Sequence, residues 1–297
     1  MEGAEEMGEF LKKIKKEHIA RTLVTAVLFI ISISMVLPLL WMLSASFKKP
    51  GDIWKFPIDW IPPYWYPNNY QYIFKDNSLF LMYFNSIKIA TINVLGSLLT
   101  SSLAAYGYAK MKFKGREILF LTVLATLMIP NQVLYVPRFI MFRWFGRFIN
   151  MMNSHNALIL PGLYAPLGLF LLKQFFMQVP DELCESATID GAGDFTIWWR
   201  IIMPISKPAL ATFAIIVFSH YWNDYETPLI FIRNPKLYTI PLALANFADE
   251  NGQWYHYIMA LSSLAIIPLI IVFALGQKYF IKGMIAGAIK GQMEDLK

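Results

Sequence analysis

Charge is scarce in this chain, and so is cysteine. Asp, Glu, Lys and Arg make up 15% of its 297 residues, against about a quarter in a typical soluble domain. Apolar residues reach 57%, more than a soluble core of this length can hide, which excludes an ordinary soluble fold. The single cysteine, Cys184, excludes an internal disulfide framework and a cysteine-based zinc site. No stretch reads Gly-x-x-x-x-Gly-Lys-Ser/Thr, so the chain has no phosphate-cradling loop and no ATPase of its own. No Gly-x-Ser-x-Gly elbow or Cys/His pair marks a nucleophile. His18, His155, His220 and His256 lack a second ligand at helical spacing and read as interfacial or packing residues, not as a metal site. Lys88, Asp224 and Glu226 lie near helix ends, so no charge deep in an apolar run marks a proton relay. These absences exclude a catalyst and leave a conduit or scaffold.

What is present is a series of long apolar runs. A helix rises ~1.5 Å per residue, so about 20 apolar residues cross a hydrocarbon core of ~30 Å. Six stretches answer to this: Thr22–Phe47, Ile89–Ala109, Ile118–Pro137, Phe148–Leu172, Pro208–Asn223 extended by Thr227–Ile232, and Ile258–Gln277 with Pro268 at its middle. Lipid offers backbone amides no partner, so the spans are helices, and the alternation of barrel strands is absent. The expected architecture is an all-α membrane protein with six transmembrane helices over 22–281. A cytoplasmic segment 1–21 precedes them and a cytoplasmic tail 282–297 follows. Lys12, Lys13, Lys15, Lys16 and Arg21 before the first run, with Ser44-Ala45-Ser46 at its end, resemble a signal peptide. The run exceeds the 7–15 residues of a signal core, and an uncleaved first helix is expected.

The net charge of +6 is not laid out as a nucleic-acid face. With both termini in the cytoplasm, sixteen of the 26 Lys and Arg residues fall on that side, among them Lys110, Lys112, Lys114, Arg116, Lys278, Lys282 and Lys290. Arg138, Arg143 and Arg147 fall outside, where an acidic glycan, lipid headgroups and a binding protein are all open as partners. The outer loop Lys48–Phe80 is rich in Pro, Trp and Tyr. It reads residue by residue as an interfacial aromatic belt, and its length also leaves room for a partner outside the membrane.

The polar loop 181–208 carries the most information. Pro180 presets a helix start, and Asp181 and Glu182 suit the positive end of that helix. Gly191 stands where a helix needs a left-handed stop, with Gly193 adding freedom. A second short helix is expected from Phe195 to about Ile202, ending before Pro204. Ser186, Ala187 and Ala192 would let another backbone come close, while Glu185 and Asp190 offer charge to basic groups. Docking on a partner and resting on the lipid surface are both open from the residues alone.

Here the sequence resembles a known family. Glu185, Ser186, Ala187, Gly191, Ile201, Met203 and Pro204 match the spacing of the EAA motif of permease subunits of ATP-binding-cassette importers, with Ser186 in place of Ala and Met203 in place of Leu. The resemblance extends over nearly the whole chain. Asn85-Ser86, Tyr106 to Gly115, Ile129-Pro130, Trp222-Asn223-Asp224 with Pro228-Leu229, and Lys282 to Gly291 all resemble the second permease of carbohydrate importers of the maltose type. The resemblance implies a type I importer permease (MetI-like) fold in the inner membrane of a bacterium or archaeon. It implies as partners a second homologous permease, two ATPase subunits carrying ATP and magnesium, an extracytoplasmic solute-binding protein, a carbohydrate substrate and membrane lipid, with no cofactor on this chain. It implies ATPase coupling by the loop around Gly191, with Glu185 as an ionic contact. Trp222, Asn223 and Asp224 are expected as an outer gate or lining of the path, and no residue is assigned to substrate. A stand-alone transporter or channel is the rival reading.

Overall fold

The computed structural model describes residues 2–75, 78–146, 148–250 and 254–294, with side chains over 18–75, 78–146, 148–245 and 254–279. Arg147, and the side chains of Lys12, Lys13, Lys15, Lys16, Lys282 and Lys290, lie outside these.

The described chain is helical. In order come α1 (Glu2–Ser46), α2 (Asn68–Lys75), α3 (Ser78–Lys110), α4 (Arg116–Thr126), α5 (Tyr135–Phe145), α6 (Asn156–Ile159), α7 (Pro166–Phe176), α8 (Asp181–Ile189), α9 (Asp194–Ile197), α10 (Met203–Ile205), α11 (Lys207–Trp222), α12 (Glu226–Phe231), α13 (Ile240–Glu250) and α14 (Tyr255–Glu294). Among the described residues, four helices are long and apolar enough to cross a membrane: His18–Ser46, Ser78–Lys110, Asn156–Phe176 and Tyr255–Tyr279. Two bent pairs bring the number to six if each is one span. Each expected run overlaps one of these six candidates, but the second bent pair joins Lys207–Trp222 to Asp194–Ile205 and not to the expected extension Thr227–Ile232.

The third run is not straight. α4 and the segment Asn131–Phe145 meet at 89°. Leu127, Met128 and Ile129 close the end of α4 with tight bonds to Leu124, Ala125 and Thr126, and Pro130 then stands extended (φ −60°, ψ 134°). Proline disfavours the helical region for the residue before it, so Ile129-Pro130 is the breaking point.

The second helix of the polar loop differs from expectation too. It runs through Pro204 as one unit, Asp194–Ile205, and turns by 81° into α11. A π-helical turn at Trp198–Ile202 precedes the proline. Pro204 has no N–H to donate, and the i→i+5 register of the π turn carries the helix past it. The extension of the fifth run is likewise a separate helix, α12, divided from α11 at Asn223–Tyr225.

The chain divides into two compact units, 1–73 with 253–264 and 74–252 with 265–297. In the first, the loop after α1 folds against the helix end. Asn69, wholly buried, donates to the Ser46 and Lys48 carbonyls, and the Lys48 ammonium donates to the Asp59 carbonyl. In the second, α3 is the axis on which α7 and α11 pack. Gly168 of α7 lets α11 come close, since a Cβ there would overlap the Phe213 ring. The main core gathers Ala105, Tyr106, Leu169, Leu172, Phe176, Trp198, Ile202 and Phe213. At the other end of α3, Asn85 donates to the Lys236 and Tyr238 carbonyls, and the Ser86 hydroxyl accepts from the Ile240 N–H. Asn85-Ser86 therefore clamps the segment leading into α13.

Candidate coupling interface

The polar loop forms a helix–turn–helix. Pro180, extended at φ −56° and ψ 136°, stands before α8, with Asp181 and Glu182 in its first turn. Gly191 adopts φ +86°. The Gly191 N–H bonds the Thr188 carbonyl at 3.0 Å and the Ala192 N–H bonds the Ala187 carbonyl at 2.9 Å. These two bonds close a Schellman motif, which requires the left-handed residue that glycine supplies without strain.

Two side chains of α3 hold this unit in place. The Lys110 ammonium donates to the Val179 carbonyl and to the Asp181 carboxylate, fixing the start of α8. That contact holds the Asp181 carboxyl below its usual range. The Tyr106 hydroxyl donates to the Asp194 carboxylate at 3.1 Å, fixing the start of α9. Ile197, Trp198 and Ile202 then enter the main core beside Tyr106, Phe120 and Phe176. Each short helix is thus tied to the end of α3 by a charged or polar bond, and the second also by buried aromatic and aliphatic area.

The expected site residues separate into two faces. Glu185, Asp190, Gly191 and Pro204 are exposed. Ala187 and Ala192 are half-buried, packed in part against the chain's own core. The Ser186 hydroxyl, exposed, donates back to the Leu183 carbonyl at 3.2 Å. Met203 also packs on the core. Cys184 is partly buried, which raises its thiol pKa.

Side chains that sequence reasoning passed over dominate the outward face. Ile189 is 86% exposed, Phe195 68% and Trp199 56%. The signal was present: Phe195 and Trp199 are four apart on one face, Trp198 and Ile202 four apart on the other. Deciding which pair faced inward needed the position of α3. Ile189, Phe195 and Trp199 thus leave large exposed apolar area on the helix–turn–helix.

Trp222, Asn223 and Asp224 lie where α11 ends, and each has its own hydrogen-bond partner. Trp222 is 2% exposed, stacks on Phe218 at 5.6 Å, and donates its indole N–H to the Ala265 carbonyl of α14 at 3.0 Å. It locks two helices together, and its polar atom is committed. Asn223 is exposed, with its amide donating to the Ser219 carbonyl at 2.8 Å. Asp224 accepts from the Thr227 N–H at 3.1 Å and starts α12. Nearby, Glu226 accepts from the Tyr135 hydroxyl at 2.6 Å and from Gln132 at 3.3 Å, joining α12 to the far side of the bend in the third run.

Comparisons with known proteins agree on one family. The model of the family described as "Binding-protein-dependent transport system inner membrane component" matches residues 92–286, which include the helix–turn–helix and Trp222. The arabinooligosaccharides transport system permease protein AraQ of Halalkalibacterium halodurans is 35% identical over 283 residues, 94% of this chain and 100% of AraQ. The melibiose/raffinose/stachyose import permease protein MelC of Bacillus subtilis is 32% identical over 275 residues, 91% of this chain and 96% of MelC. Among solved structures, a chain of a bacterial ABC transporter involved in the import of the acidic polysaccharide alginate superposes with a TM-score of 0.78 at 21% identity, over 89% of this chain and 98% of that one. That likeness concerns the fold.

Proposed function

The chain belongs to the family of binding-protein-dependent transport system inner membrane components, the non-catalytic permease subunits of ATP-binding-cassette importers, and on that premise we propose how it works and what it carries. Membership in this family removes the stand-alone transporter reading. The substrate we propose is an oligosaccharide, supported by relatives named for arabinooligosaccharides and for melibiose, raffinose and stachyose that align over more than nine-tenths of this chain. The partners are a second permease, two ATPase subunits holding ATP and magnesium, and a solute-binding protein on the far side. The helix–turn–helix and both termini face the cytoplasm, as the distribution of Lys and Arg favours.

One observation carries the mechanical part: the α8–α9 unit presents Ile189, Phe195 and Trp199 outward while Lys110 and Tyr106 bind it to the end of α3. Ile189, Phe195 and Trp199 enter a groove of the ATPase, and Glu185 meets a basic group at its edge. When the ATPase pair closes, the unit moves as one body. Its displacement passes to α3 through Lys110 and Tyr106, and to α7 and α11 through the shared core. Two arrangements of the helices, differing in their contacts with the ATPases, are all that such coupling requires.

Reconstituted complexes with the cognate binding protein test this reading. Oligosaccharides are expected to raise the melting temperature of the binding protein and to stimulate ATP hydrolysis. Gly191→Asp is expected to leave the complex assembled and abolish that stimulation. Unchanged stimulation would overturn the coupling role. A binding protein stabilised by no glycan would overturn the substrate class.

A further inference from the structure

Lys173 stands in the last turn of α7 and is 6% exposed, and an assembly partner can only bury it further. Among the described residues no carboxylate or carbonyl accepts from its ammonium. The group sits instead over the Phe120 ring of α4, 3.5 Å from the centroid. Taking an ammonium out of water without an acceptor is unfavourable. The face of an aromatic ring offsets part of that penalty, and only where cation and ring are aligned. A cation also suits the negative end of α7, but an exposed side chain would serve that end equally. An apolar side chain would fill the same space with no charge to bury, so packing alone does not account for a lysine here.

The ring that it grips is the main hold on α4. Phe120 is 5% exposed and is the one residue of α4 that the described chain buries. Val123 and Leu124 pack on the core only in part, and Tyr108 of α3 lies 5.7 Å from the Phe120 ring. Past α4 the chain bends by 89° into Asn131–Phe145, so whatever holds Phe120 holds the first half of that bent pair. On its own helix Lys173 is flanked by Leu169, Leu172 and Phe176. These share the main core with Trp198 and Ile202 of the helix–turn–helix. Lys173 therefore joins a helix packed on the helix–turn–helix to one with little other hold inside the subunit.

We propose that Lys173 is a positioning residue for transport: its ammonium keeps α4 in fixed register on α7, so that movement of the helix–turn–helix reaches the bent third run. The inference rests on the coupling reading above. A cation over a ring fixes where the ring lies, whereas an apolar contact lets it slide. The role is one of register and not of stability, and that difference is measurable.

Lys173→Met, Lys173→Arg, Phe120→Leu and Phe120→Tyr are compared in the reconstituted complex, with its binding protein and a mixture of arabinooligosaccharides, raffinose and stachyose. Lys173→Met is expected to leave the melting temperature unchanged or raised, because an apolar group replaces a buried charge. The ratio of stimulated to basal ATP hydrolysis is expected to fall severalfold all the same. Lys173→Arg keeps a cation and Phe120→Tyr keeps the ring, and both should retain most of the ratio. Phe120→Leu should lower it as Lys173→Met does, and the two together no further. A full ratio in Lys173→Met would overturn the inference, whatever Gly191→Asp does in the same assay. So would a loss that Lys173→Arg shares, or one matched by an equal fall in melting temperature. Where Lys173→Met fails to assemble, equal ratios in Phe120→Leu and Phe120→Tyr would overturn it. A full ratio in Gly191→Asp would overturn the coupling reading itself, and is thereby told apart from failure of Lys173 alone.

Discussion

Lys110 reaches across 71 residues of sequence to Asp181, and the same ammonium also holds the Val179 carbonyl. One side chain at the end of a membrane helix thereby sets both the position and the direction of the docking helix. The pair is unequal: the Lys110 side chain is 4% exposed and that of Asp181 76%.

That inequality predicts different losses. Asp181→Asn removes a solvent-screened ion pair and is expected to lower stability by about 0.2–1 kcal/mol. Lys110→Met leaves the Val179 carbonyl without its donor and is expected to lower stability by about 1–3 kcal/mol. It should also cut substrate-stimulated ATP hydrolysis more than basal hydrolysis, because α8 loses its mount. Thermal unfolding and the ratio of the two hydrolysis rates check both.

The same pair has a pH signature. Lys110 holds the Asp181 carboxyl below its ordinary value of 3.8, so the folded value lies below the unfolded one. The contribution is complete above the ordinary carboxylate range and is lost as pH falls through the folded value. Stability profiles of the wild type and Asp181→Asn should therefore run parallel at neutral pH and converge in acid. Profiles that stay parallel down into acid would contradict the assignment.

Gly191 separates backbone from surface effects. Nothing lies within 4 Å of a Cβ built there, while φ is +86°. Gly191→Ala should cost about 1–2 kcal/mol from the left-handed backbone alone, and Gly191→Asn less. Hydrolysis by the assembled complex should survive both. Loss of coupling in Gly191→Asp, beyond its effect on melting temperature, would then report the docking face.

Trp198 and Trp199 are neighbours with opposite duties. Trp198 is 1% exposed and belongs to the core. Its replacement by Ala should cost about 3–5 kcal/mol and deplete the subunit from the membrane. Trp199→Ala should leave the subunit intact, with the ATPase no longer co-purifying. Equal subunit levels in both variants would contradict this division.

Trp222 yields the last prediction. Trp222→Phe keeps the ring and loses the bond to Ala265, at a cost of about 0.5–1.5 kcal/mol in stability. The glycan preference of transport is expected to stay unchanged, because the indole N–H faces the protein. An altered preference, measured by sugar-stimulated hydrolysis, would place this residue in the path.

Some of these features follow from neighbours in sequence. Pro180 before α8, the stop at Gly191 and the membrane runs all answer to local rules: a fixed proline φ, a left-handed turn, a length of apolar chain. Others were misplaced for a definite reason. Ala187 and Ala192 pack in part on the chain's own core, which their size did not reveal because small residues fit either face of a helix. Pro204 looked like a stop because proline usually is, and the π turn before it was not legible. The straight third run hid a bend at Pro130, since hydropathy counts residues without direction.

The sequence by itself determined that this chain lives in a bilayer and that residues 181–208 form a helix–turn–helix with the spacing of a coupling motif. Those outcomes depend on composition, length and backbone preference, which act within a few residues. Only the tertiary structure decided which side of that unit faces out, that Lys110 and Tyr106 hold it, and that Trp222 donates to the backbone carbonyl of Ala265. Each of these pairs residues from 43 to 88 positions apart. Contacts at that range depend on how α3, α7, α11 and α14 pack, and packing is settled by the joint shape of the faces that meet.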